Sequence, residues 1–347
     1  MINLYSDTQT RPTDAMRSAM ASAEVGDEQR RADPTVEKLN ARVAELLGKE
    51  HALFLPSGVM CNAIALKAHT TPGDAVICEQ ECHLVRAEAG GIGLMAGLQV
   101  EPLPTKHGRF TADEVRKRKA RLLDGVYSPP VTLLCVEQTH NFAGGTVWPV
   151  EQLNDVTATA HELGMATHMD GARLLNAVVA SGQSAAEHAA GFDSVWIDFS
   201  KGLGAPIGGV LAGSHDWIEN KARRYKHMFG GAMRQAGILA AAALHALDHH
   251  VERLADDHAN AKLLAAHIAD IDGLELAHGE PQTNIVFFRT TRGTAEDFAA
   301  KCKQRGLDLS TLYGDLRAVT HLDVSRDDCE RAGTIMAEVM RGLPADV

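Results

Sequence analysis

The sequence predicts an α/β protein, with a large domain built on a mainly parallel sheet and a small α+β domain after it. Short apolar runs, such as residues 75–78, 132–137 and 195–199, alternate with segments of helical periodicity, which is the pattern of strand–helix–strand units. These runs are apolar at nearly every position, as expected of parallel strands that are covered on both faces. The pattern changes around residues 250–270, and this change indicates a second, smaller unit.

Three segments follow from this pattern: an amino-terminal arm at residues 1–12, the large domain at 13–250 and the small domain at 251–347. The arm is predicted to be extended, because Arg11-Pro12 opposes a helix at that point. The small domain is predicted to alternate strand, helix, strand and helix, at residues 284–288, 294–305, 317–322 and 326–341.

Local signals define the elements of the large domain. Apolar residues repeat at helical spacing from Val36 to Leu47, and Gly48 is a natural helix end. Residues 51–63 pass from an apolar strand through a turn of small residues into a helix, and residues 236–247 read as a buried alanine-rich helix. The other strands are predicted at residues 75–78, 98–101, 132–137, 165–170, 195–199 and 208–213.

Composition limits the class of protein. A formal net charge of −11 argues against nucleic-acid binding, because a phosphate backbone demands a basic surface. The apolar runs are shorter than the roughly 18 residues of a membrane span, and the polar amino terminus does not resemble a secretory leader. We therefore expect a cytoplasmic protein without a membrane partner. The scattered cysteines predict buried free thiols, with neither disulfides nor a metal site, at Cys61, Cys78, Cys82, Cys135, Cys302 and Cys329.

The chemistry is predicted to centre on Lys201, which follows an apolar strand and precedes Gly202 and Gly204. A lysine at the end of a buried strand, with no carboxylate beside it in sequence, is poorly hydrated, and burial disfavours its ammonium form. A neutral amine can attack a carbonyl and hold it as an imine. An isolated Ser-Lys-Gly is more often a surface turn, so the prediction depends on a second motif.

That second motif is His168-Met169-Asp170-Gly171-Ala172-Arg173, another strand that runs into a turn. Ligands of open α/β sheets collect at the carboxyl ends of the strands, so Asp170 and Lys201 belong on the same edge. Pyridoxal phosphate requires such a pair, because a lysine forms its Schiff base and a carboxylate keeps its ring nitrogen protonated. Pyridoxal 5'-phosphate is therefore the predicted cofactor.

Further candidates follow strands or lie near helix starts. The free N–H groups of the helix that begins near Gly58 would hold a phosphate, and a glycine turn would bring Arg234 to it. His83 and His140 each follow a strand, and a histidine there can stack on a ring, meet a polar ligand or transfer a proton near neutral pH. Arg317 opens a strand of the small domain and is a candidate clamp for a carboxylate.

Taken in order, a series of motifs resembles the low-specificity L-threonine aldolases, a family of fold-type I pyridoxal-phosphate enzymes. The resemblance covers almost the whole chain, and its motifs are Ser6-Asp7-Thr8, Val25-Gly26-Asp27, Thr139-His140-Asn141, His168-Met169-Asp170-Gly171-Ala172-Arg173, Ser200-Lys201-Gly202-Leu203-Gly204-Ala205-Pro206, Gly230-Gly231-Ala232-Met233-Arg234-Gln235 and Thr320-His321-Leu322-Asp323-Val324-Ser325. It implies a fold-type I transferase-like large domain and a homotetramer built from dimers, with active sites between subunits. It also implies retro-aldol cleavage of L-β-hydroxy-α-amino acids, such as L-threonine, to glycine and an aldehyde.

The same resemblance implies roles around the cofactor. Lys201 would form the Schiff base, Asp170 would pair with the ring nitrogen, and His83 would stack on the ring. Gly58 and Arg234 would bind the phosphate.

Around the substrate, the resemblance places Arg173 near the ring oxygen and the substrate carboxylate. Ser6 and Arg317 would complete the carboxylate site. The base that removes the β-hydroxyl proton would be His83 or His140, directly or through water.

Three places depart from the family's pattern. Val59 and His227 stand where threonine and lysine are common, so these two phosphate contacts are expected to be weaker or differently arranged. Residues 28–32 replace a stretch that usually carries a tyrosine near the substrate. We therefore expect Arg30 or Arg31 to favour a substrate with an anionic or large polar side chain.

Two other functions remain open at this point. A β-eliminating amino-acid lyase on the same scaffold would use the same lysine and aspartate, and it would release pyruvate and ammonia. A non-catalytic descendant would bind the cofactor or a partner without turnover, but the retained lysine, aspartate and arginines argue against it.

Overall fold

The structure is a computed structural model that describes residues 1–122 and 125–343. Strands and helices alternate along the chain, as the sequence predicts. Residues 123–124 of the predicted large domain and residues 344–347 of the predicted small domain lie outside the described residues. The strands are β1 (Ile2–Asn3), β2 (His51–Leu55), β3 (Ala75–Glu79), β4 (Gln99–Leu103), β5 (Val131–Glu137), β6 (Ala166–Gly171), β7 (Ser194–Asp198), β8 (Gly209–Gly213), β9 (Leu274–Leu276), β10 (Ile285–Thr290), β11 (Leu307–Asp308), β12 (Ser310–Leu312) and β13 (Asp315–Val319).

Most of the helices are amphipathic or buried connections between these strands. They are α1 (Asp14–Ala21), α2 (Pro34–Leu47), α3 (Gly58–His69), α4 (His83–Arg86), α5 (Ala112–Ala120), α6 (Val150–Glu162), α7 (Leu174–Ser181), α8 (Ala185–Ala189), α9 (His215–Trp217), α10 (Arg223–Met228), α11 (Gly237–His249), α12 (Leu254–Ala269), α13 (Ala295–Gln304) and α14 (Arg326–Arg341). None of the helices in the described part of the chain is long and apolar enough to cross a membrane.

The central sheet has seven strands in the order β2-β8-β7-β6-β5-β3-β4. Strands β4, β3, β5, β6 and β7 are parallel, whereas β8 runs antiparallel between β7 and β2. The prediction of a mainly parallel α/β sheet is confirmed. Because the parallel strands share one direction, the residues that follow β3, β5, β6 and β7 meet at one edge, and the candidate site lies there.

Local sequence explains where the helices beside this edge begin and end. Asp33 caps α2 through the N–H of Val36, with Pro34 as the first helical residue, and Gly48 ends that helix with a φ of 62°. Ser57 caps α3 through the N–H of Met60. Both helices therefore begin at a residue whose side chain caps the first turn.

The carboxyl-terminal part of the chain has its own sheet, in the antiparallel order β12-β13-β10-β9. Its core packs α12, α13 and α14 against this sheet and is separate from the core of the central sheet. Strand β13 ends at Val319, so the strand predicted at residues 317–322 lies earlier than expected. The reason is a tight turn between β12 and β13 that the sequence analysis did not recognise.

The amino-terminal arm packs on this second core. Strand β1 pairs in parallel with β11, and Ile2 and Leu4 are buried in the second core. The arm is not extended throughout, because residues Asp7–Gln9 form a 3-10 turn that is capped by Ser6. The predicted burial of the free cysteines is confirmed, since all six are buried and unpaired.

Candidate active site

Lys201 lies just after β7, within an ion pair that the sequence analysis missed. Its Nζ is 2.9 Å from Oδ2 of Asp198, the last residue of β7. The other oxygen of Asp198 accepts hydrogen bonds from the N–H and the hydroxyl of Ser200, and these bonds shape the turn. Lys201 has no carboxylate next to it in sequence, but the turn returns the lysine to Asp198 at the end of its own strand, so it is not an unpaired amine.

Asp170 lies in the adjacent strand β6 and faces the same cleft. In the parallel pair Asp170 is opposite Trp196, and the Trp196 ring is 5.6 Å from Nζ of Lys201. Asp170 is 1% exposed, and its Oδ2 accepts a hydrogen bond of 2.8 Å from Nδ2 of Asn62. The structure thus brings the predicted lysine and aspartate together across two strand ends.

Asn62 connects Asp170 to His83. The amide of Asn62, on α3, also donates to Oε1 of Glu88 at 2.7 Å, and the same oxygen is 2.8 Å from Nδ1 of His83. His83 begins α4, and 30% of its side chain is exposed. Glu88 and Asn62 therefore fix the His83 ring beside the buried carboxylate of Asp170.

Glu137 adds a third buried carboxylate to this group. It ends β5 and accepts hydrogen bonds from the N–H groups of His83, at 2.7 Å, and of Asn141, at 2.9 Å. Burial raises the pKa of Asp170 to about 6, and the charge of Glu137 adds to that effect against the lowering by His83 and Lys201. Burial lowers the pKa of His83, but the Glu88 hydrogen bond and the neighbouring carboxylates outweigh it and leave that pKa raised. The site is thus a buried acidic pocket that favours a cation.

The residues of this pocket suit a cationic ring better than a metal ion. His83, Glu88 and Asp170 offer ligand atoms within 4.8 Å of one another. However, the amide of Asn62 donates a hydrogen bond to each of the two carboxylates, and a donor amide in the middle of the group opposes a metal ion.

Arg173 and Arg317 form the cationic side of the cleft. Arg173 follows β6 and makes two hydrogen bonds to the buried carboxylate of Asp7, from Nε at 2.7 Å and from Nη2 at 2.6 Å. Burial would raise the pKa of Asp7, but Arg173 holds it well below its usual range. Asn284 donates a further hydrogen bond of 3.1 Å to the same carboxylate.

Arg317 comes from β13 of the second sheet and reaches the first. Its Nη1 donates to Oδ1 of Asn141 at 3.0 Å, and its Nη2 donates to the carbonyl of Tyr5 at 3.3 Å. Burial and the nearby charge of Arg173 lower the pKa of Arg317 to about 10, which leaves it protonated at neutral pH. Ser6 is buried, and its neighbours in sequence contact the two arginines: the carbonyl of Tyr5 binds Arg317 and the carboxylate of Asp7 binds Arg173. The structure therefore brings Ser6, Arg173 and Arg317 to one side of the cleft.

His140 is the other histidine that the sequence singles out, and its surroundings differ from those of His83. It is 1% exposed, its Nε2 is 2.9 Å from Oε2 of Glu79, and its Nδ1 accepts a hydrogen bond from the N–H of Ala143. Burial lowers the pKa of His140, but Glu137 and Glu79 outweigh burial and leave the pKa raised. Both ring nitrogens are thus engaged by the protein.

The predicted phosphate-binding residues lie at the start of α3 and on a neighbouring surface. Gly58 packs against the six-membered ring of Trp196, where an added Cβ would lie 2.2 Å from Cη2, so only glycine fits. Val59 is 44% exposed, and His227 is exposed on α10, which packs on the first turns of α3. Arg234 is paired with Asp27 at 3.1 Å, and its side chain is 63% exposed.

The structure does not bring Arg31 to the cleft within one chain. Arg31 forms an ion pair with Glu219 and lies 3.3 Å from Nε2 of His51, the first residue of β2. Strands β2 and β7 both run antiparallel to β8, so they point in the same direction. His51, at the start of β2, therefore lies at the opposite end of the strands from Lys201, which follows the end of β7. Arg30 is exposed in the same loop. The hypothesis that Arg31 contacts the substrate therefore gains no support from one subunit, because Glu219 already neutralises its charge.

Several residues of the site were not predicted as site residues. Asp198 and Glu137 end strands, so the rule that identified Asp170 would also have found them. Asn62 lies one helical turn after Gly58, and that spacing was the available indication. Glu88 follows a helix of four residues, and nothing in the local sequence distinguishes it from a surface glutamate.

Comparison with known proteins agrees with this fold. The family model described as Beta-eliminating lyase matches residues 3–291. Among solved structures, threonine aldolase from Leishmania major aligns with a TM-score of 0.84 at 22% identity, covering 98% of this chain and 100% of that chain. Serine palmitoyltransferase from Sphingomonas wittichii aligns with a TM-score of 0.75 at 19% identity, covering 99% and 88%. The fold is that of the fold-type I pyridoxal-phosphate enzymes, which confirms the predicted fold class.

Curated relatives identify the family. The low-specificity L-threonine aldolase of Escherichia coli K12 is 40% identical over 94% of this chain and 96% of its own length. The low-specificity L-threonine aldolase 1 of Arabidopsis thaliana is 38% identical over 94% and 93%. The chain belongs to the beta-eliminating lyase family and, within it, to the low-specificity L-threonine aldolases, and the predicted resemblance is confirmed.

Proposed function

We propose that this enzyme cleaves L-β-hydroxy-α-amino acids, such as L-threonine, to glycine and an aldehyde with the help of pyridoxal 5'-phosphate. The observation that carries the proposal is the placement of Lys201 and Asp170 in one cleft, on adjacent strands, with buried carboxylates around Asp170. The family supports the reaction and the type of cofactor.

The residues present fit this cofactor. Burial and the charge of Glu137 raise the pKa of Asp170, because both disfavour its ionised form. A protonated pyridine nitrogen beside Asp170 would offset both effects. At the other end, Gly58 opens the capped, twelve-residue helix α3, whose free N–H groups suit a phosphate. Lys201, Asp170, His83 and Gly58 would therefore hold the cofactor within this chain.

When bound, pyridoxal phosphate accepts the electron pair that remains on Cα when the Cα–Cβ bond breaks. The protein's part is to orient the substrate so that this bond is the one that breaks. Arg317 is the carboxylate clamp in this proposal, since its planar guanidinium is charged, buried and held in place by Asn141 and Tyr5. Arg173 is fixed by Asp7 beside it and adds positive charge to the same side.

His83 is the proposed base for the β-hydroxyl proton, directly or through a water molecule. Its Nδ1 is engaged by Glu88, whereas its Nε2 has no hydrogen bond to any residue in the described part of the chain. His140 is the weaker candidate, because both of its nitrogens are engaged by Glu79 and Ala143. The proton that leaves the hydroxyl would pass to Nε2 of His83, and Cα would take up a proton before glycine leaves.

We also propose that the protein is a cytoplasmic homotetramer and that a second subunit completes the phosphate side of the cleft. In support, Val59, Met228 and Ile238 are large apolar side chains that are 44%, 59% and 45% exposed in the single chain. The exposed Arg234 and His227 would reach a phosphate through that contact. Light scattering of the cofactor-loaded protein tests the assembly, and a stable monomer with full activity would refute it.

A product assay with Lys201→Ala tests the function. The wild type is expected to release glycine and acetaldehyde in equal amounts from L-threonine and, with the cofactor bound, to absorb at roughly 420 nm. Lys201→Ala is expected to lose that absorbance and at least roughly a thousandfold in kcat/KM, because the nucleophilic amine is removed. The exposed Lys221 provides the control, since Lys221→Ala should keep both properties. 2-Oxobutyrate and ammonia in place of glycine would establish the β-eliminating alternative instead.

A further inference from the structure

A buried row of polar side chains leads from Asp170 away from the cleft, and the proposed reaction does not use it. His168 lies two residues before Asp170 on β6, so both side chains point to the same face of the sheet. Ser194 is opposite His168 in the parallel strand β7, and both residues are 0% exposed. Asn62 and His69 belong to α3, which packs on this face. The row therefore connects Asp170 with the end of α3.

The amide of Asn62 uses all of its hydrogen-bonding positions. Its Oδ1 accepts a hydrogen bond of 2.7 Å from Nε1 of Trp196, and an indole nitrogen can only donate. The oxygen therefore faces Trp196, and the NH2 group donates to Asp170 at 2.8 Å and to Glu88 at 2.7 Å. Nε2 of His168 lies 3.2 Å from the same oxygen, so this nitrogen carries a proton and donates it. Two donors on the oxygen fix the plane of the amide, and that plane aims both N–H bonds at the carboxylates.

The other hydrogen bonds of the row follow from the proton on His168. Burial, with a smaller contribution from His69, lowers the pKa of His168 to about 3, so the ring is neutral and has one donor and one acceptor. Because Nε2 donates, Nδ1 accepts a hydrogen bond of 2.8 Å from the hydroxyl of Ser194. The Ser194 oxygen in turn accepts one of 2.8 Å from Nε2 of His69. A single arrangement of protons thus satisfies the whole row.

We infer that His168 is a positioning residue, which holds Asn62 so that Asp170 meets the ring nitrogen of the cofactor as an ionised and oriented carboxylate. This inference depends on the proposed function and deepens it by naming a residue that acts through another. Asp170 is buried, and a hydrogen bond to its ionised form offsets part of the cost of that charge. With one donor on its oxygen, the Asn62 amide could tilt, and its N–H bonds to the carboxylates would weaken.

The test compares two ligands of the cofactor-free protein: pyridoxal 5'-phosphate and its analogue in which C–H replaces the ring nitrogen. Both ligands carry the aldehyde and the phosphate, so contacts with Lys201 and Gly58 cancel in the ratio of the two dissociation constants. The wild type is expected to prefer pyridoxal 5'-phosphate, because only this ligand forms a charged hydrogen bond with Asp170. Equilibrium dialysis measures both constants.

His168→Asn and His168→Gln are the matched variants. A glutamine Nε2 reaches as far as the Nε2 of histidine and still donates to Asn62, whereas an asparagine reaches only as far as Nδ1, beside Ser194. We expect His168→Asn to lower the preference for pyridoxal 5'-phosphate about three- to tenfold, the range of one net hydrogen bond, and His168→Gln to keep it. His168→Leu also lacks the donor and should repeat the loss, so the result does not depend on the folding of one variant.

His188→Asn is the control, because His188 is also buried and contacts Gln138 and Ser181 instead of Asn62. This variant should keep the preference of the wild type. Thermal unfolding of each cofactor-free variant verifies that it folds.

A double variant tests whether His168 acts through Asn62. In an Asn62→Ala background, His168→Asn should change the preference no further, since the group that it positions is gone. An unchanged preference in His168→Asn and His168→Leu, an equal loss in His168→Gln, or losses that add in the double variant would overturn the inference. A wild type that binds both ligands equally would instead contradict the proposed pairing of Asp170 with the cofactor, and the two failures are thus distinct.

Discussion

Asp7 and Asp170 are both buried beside Lys201, yet the structure holds them with opposite preferences for charge. Asp7 is 0% exposed and is paired with the guanidinium of Arg173, so its pKa is held well below the usual range. Asp170 is 1% exposed and has Glu137 and Glu88 as neighbours, so its pKa is raised to about 6. The same side chain at the same depth thus serves two purposes.

The difference shows that the partner, and not burial alone, decides what a buried carboxylate does. With Arg173 beside it, Asp7 stays ionised and holds the Arg173 guanidinium in place on the side of the cleft proposed to bind the substrate. Asp170 has an amide donor from Asn62, and its closest formal charges include two carboxylates. It therefore gains a strong partner only when a cation enters the cleft, as the ring nitrogen of the proposed cofactor would.

The largest expected effect comes from Asp7→Asn, which breaks the pair and keeps the shape of the side chain. Arg173 would remain buried with no charged partner, and removing one member of a buried ion pair typically costs about 3–5 kcal/mol. We expect the free energy of unfolding of the cofactor-free protein to fall by that amount, as measured by urea denaturation with several probes.

The double variant Asp7→Leu/Arg173→Met is the control for this experiment. Replacing both partners by apolar groups of similar size removes the unpaired charge and should restore most of the stability, although activity would be lost. If Asp7→Asn proves as stable as the wild type, Arg173 does not depend on Asp7, and the contrast with Asp170 loses its physical basis.

Asp170→Asn should give the opposite pattern, with a loss of activity and no loss of stability. We expect kcat/KM for glycine release to fall roughly a hundred- to a thousandfold, the range for removing one preorganised electrostatic group. The cofactor-free protein should be about as stable as the wild type, because asparagine removes a buried charge and keeps an acceptor for Asn62, which offsets the hydrogen bond that the N–H of Ala172 loses. A variant that loses both activity and several kcal/mol of stability would mean that Asp170 is mainly structural.

The contrast between these residues also separates what sequence reasoning can reach from what it cannot. Asp170 was predicted because it ends a strand next to the strand of Lys201, and parallel strands place such positions on one edge. The helix starts at Ser57 and Asp33 follow from caps that involve residues only a few positions apart. Local pattern and strand direction thus account for the sheet and for the centre of the site.

Contacts between distant segments decide the remainder. The sequence alone does not show that Asp7 meets Arg173, or that Arg31 meets Glu219 across the sheet from the cleft. In both cases the partner comes from an element far away in sequence, and only packing decides which of many acids an arginine meets. The pairing of Lys201 with Asp198 was missed for a smaller reason, since a tight turn reverses the chain within three residues.

The smallest expected effect is a pH dependence that isolates Asp170. In the cofactor-free protein the pKa of Asp170 is raised from 3.8 to about 6, so between pH 4 and pH 6 the folded state holds a proton that the unfolded state has released. The free energy of unfolding should therefore decrease as pH rises through this window, by about 1–3 kcal/mol relative to Asp170→Asn. Asp7 adds little to the change, because its pKa is depressed in the folded state and it is ionised throughout most of the window.

Urea denaturation of both proteins at intervals of half a pH unit measures the difference, which also includes the response of His83 and Glu137 to the missing charge. A wild type whose stability runs parallel to that of Asp170→Asn from pH 4 to pH 6 would show that Asp170 is ionised at little cost without its cofactor. In that case the carboxylates around Asp170 would not prepare the cleft for a cation.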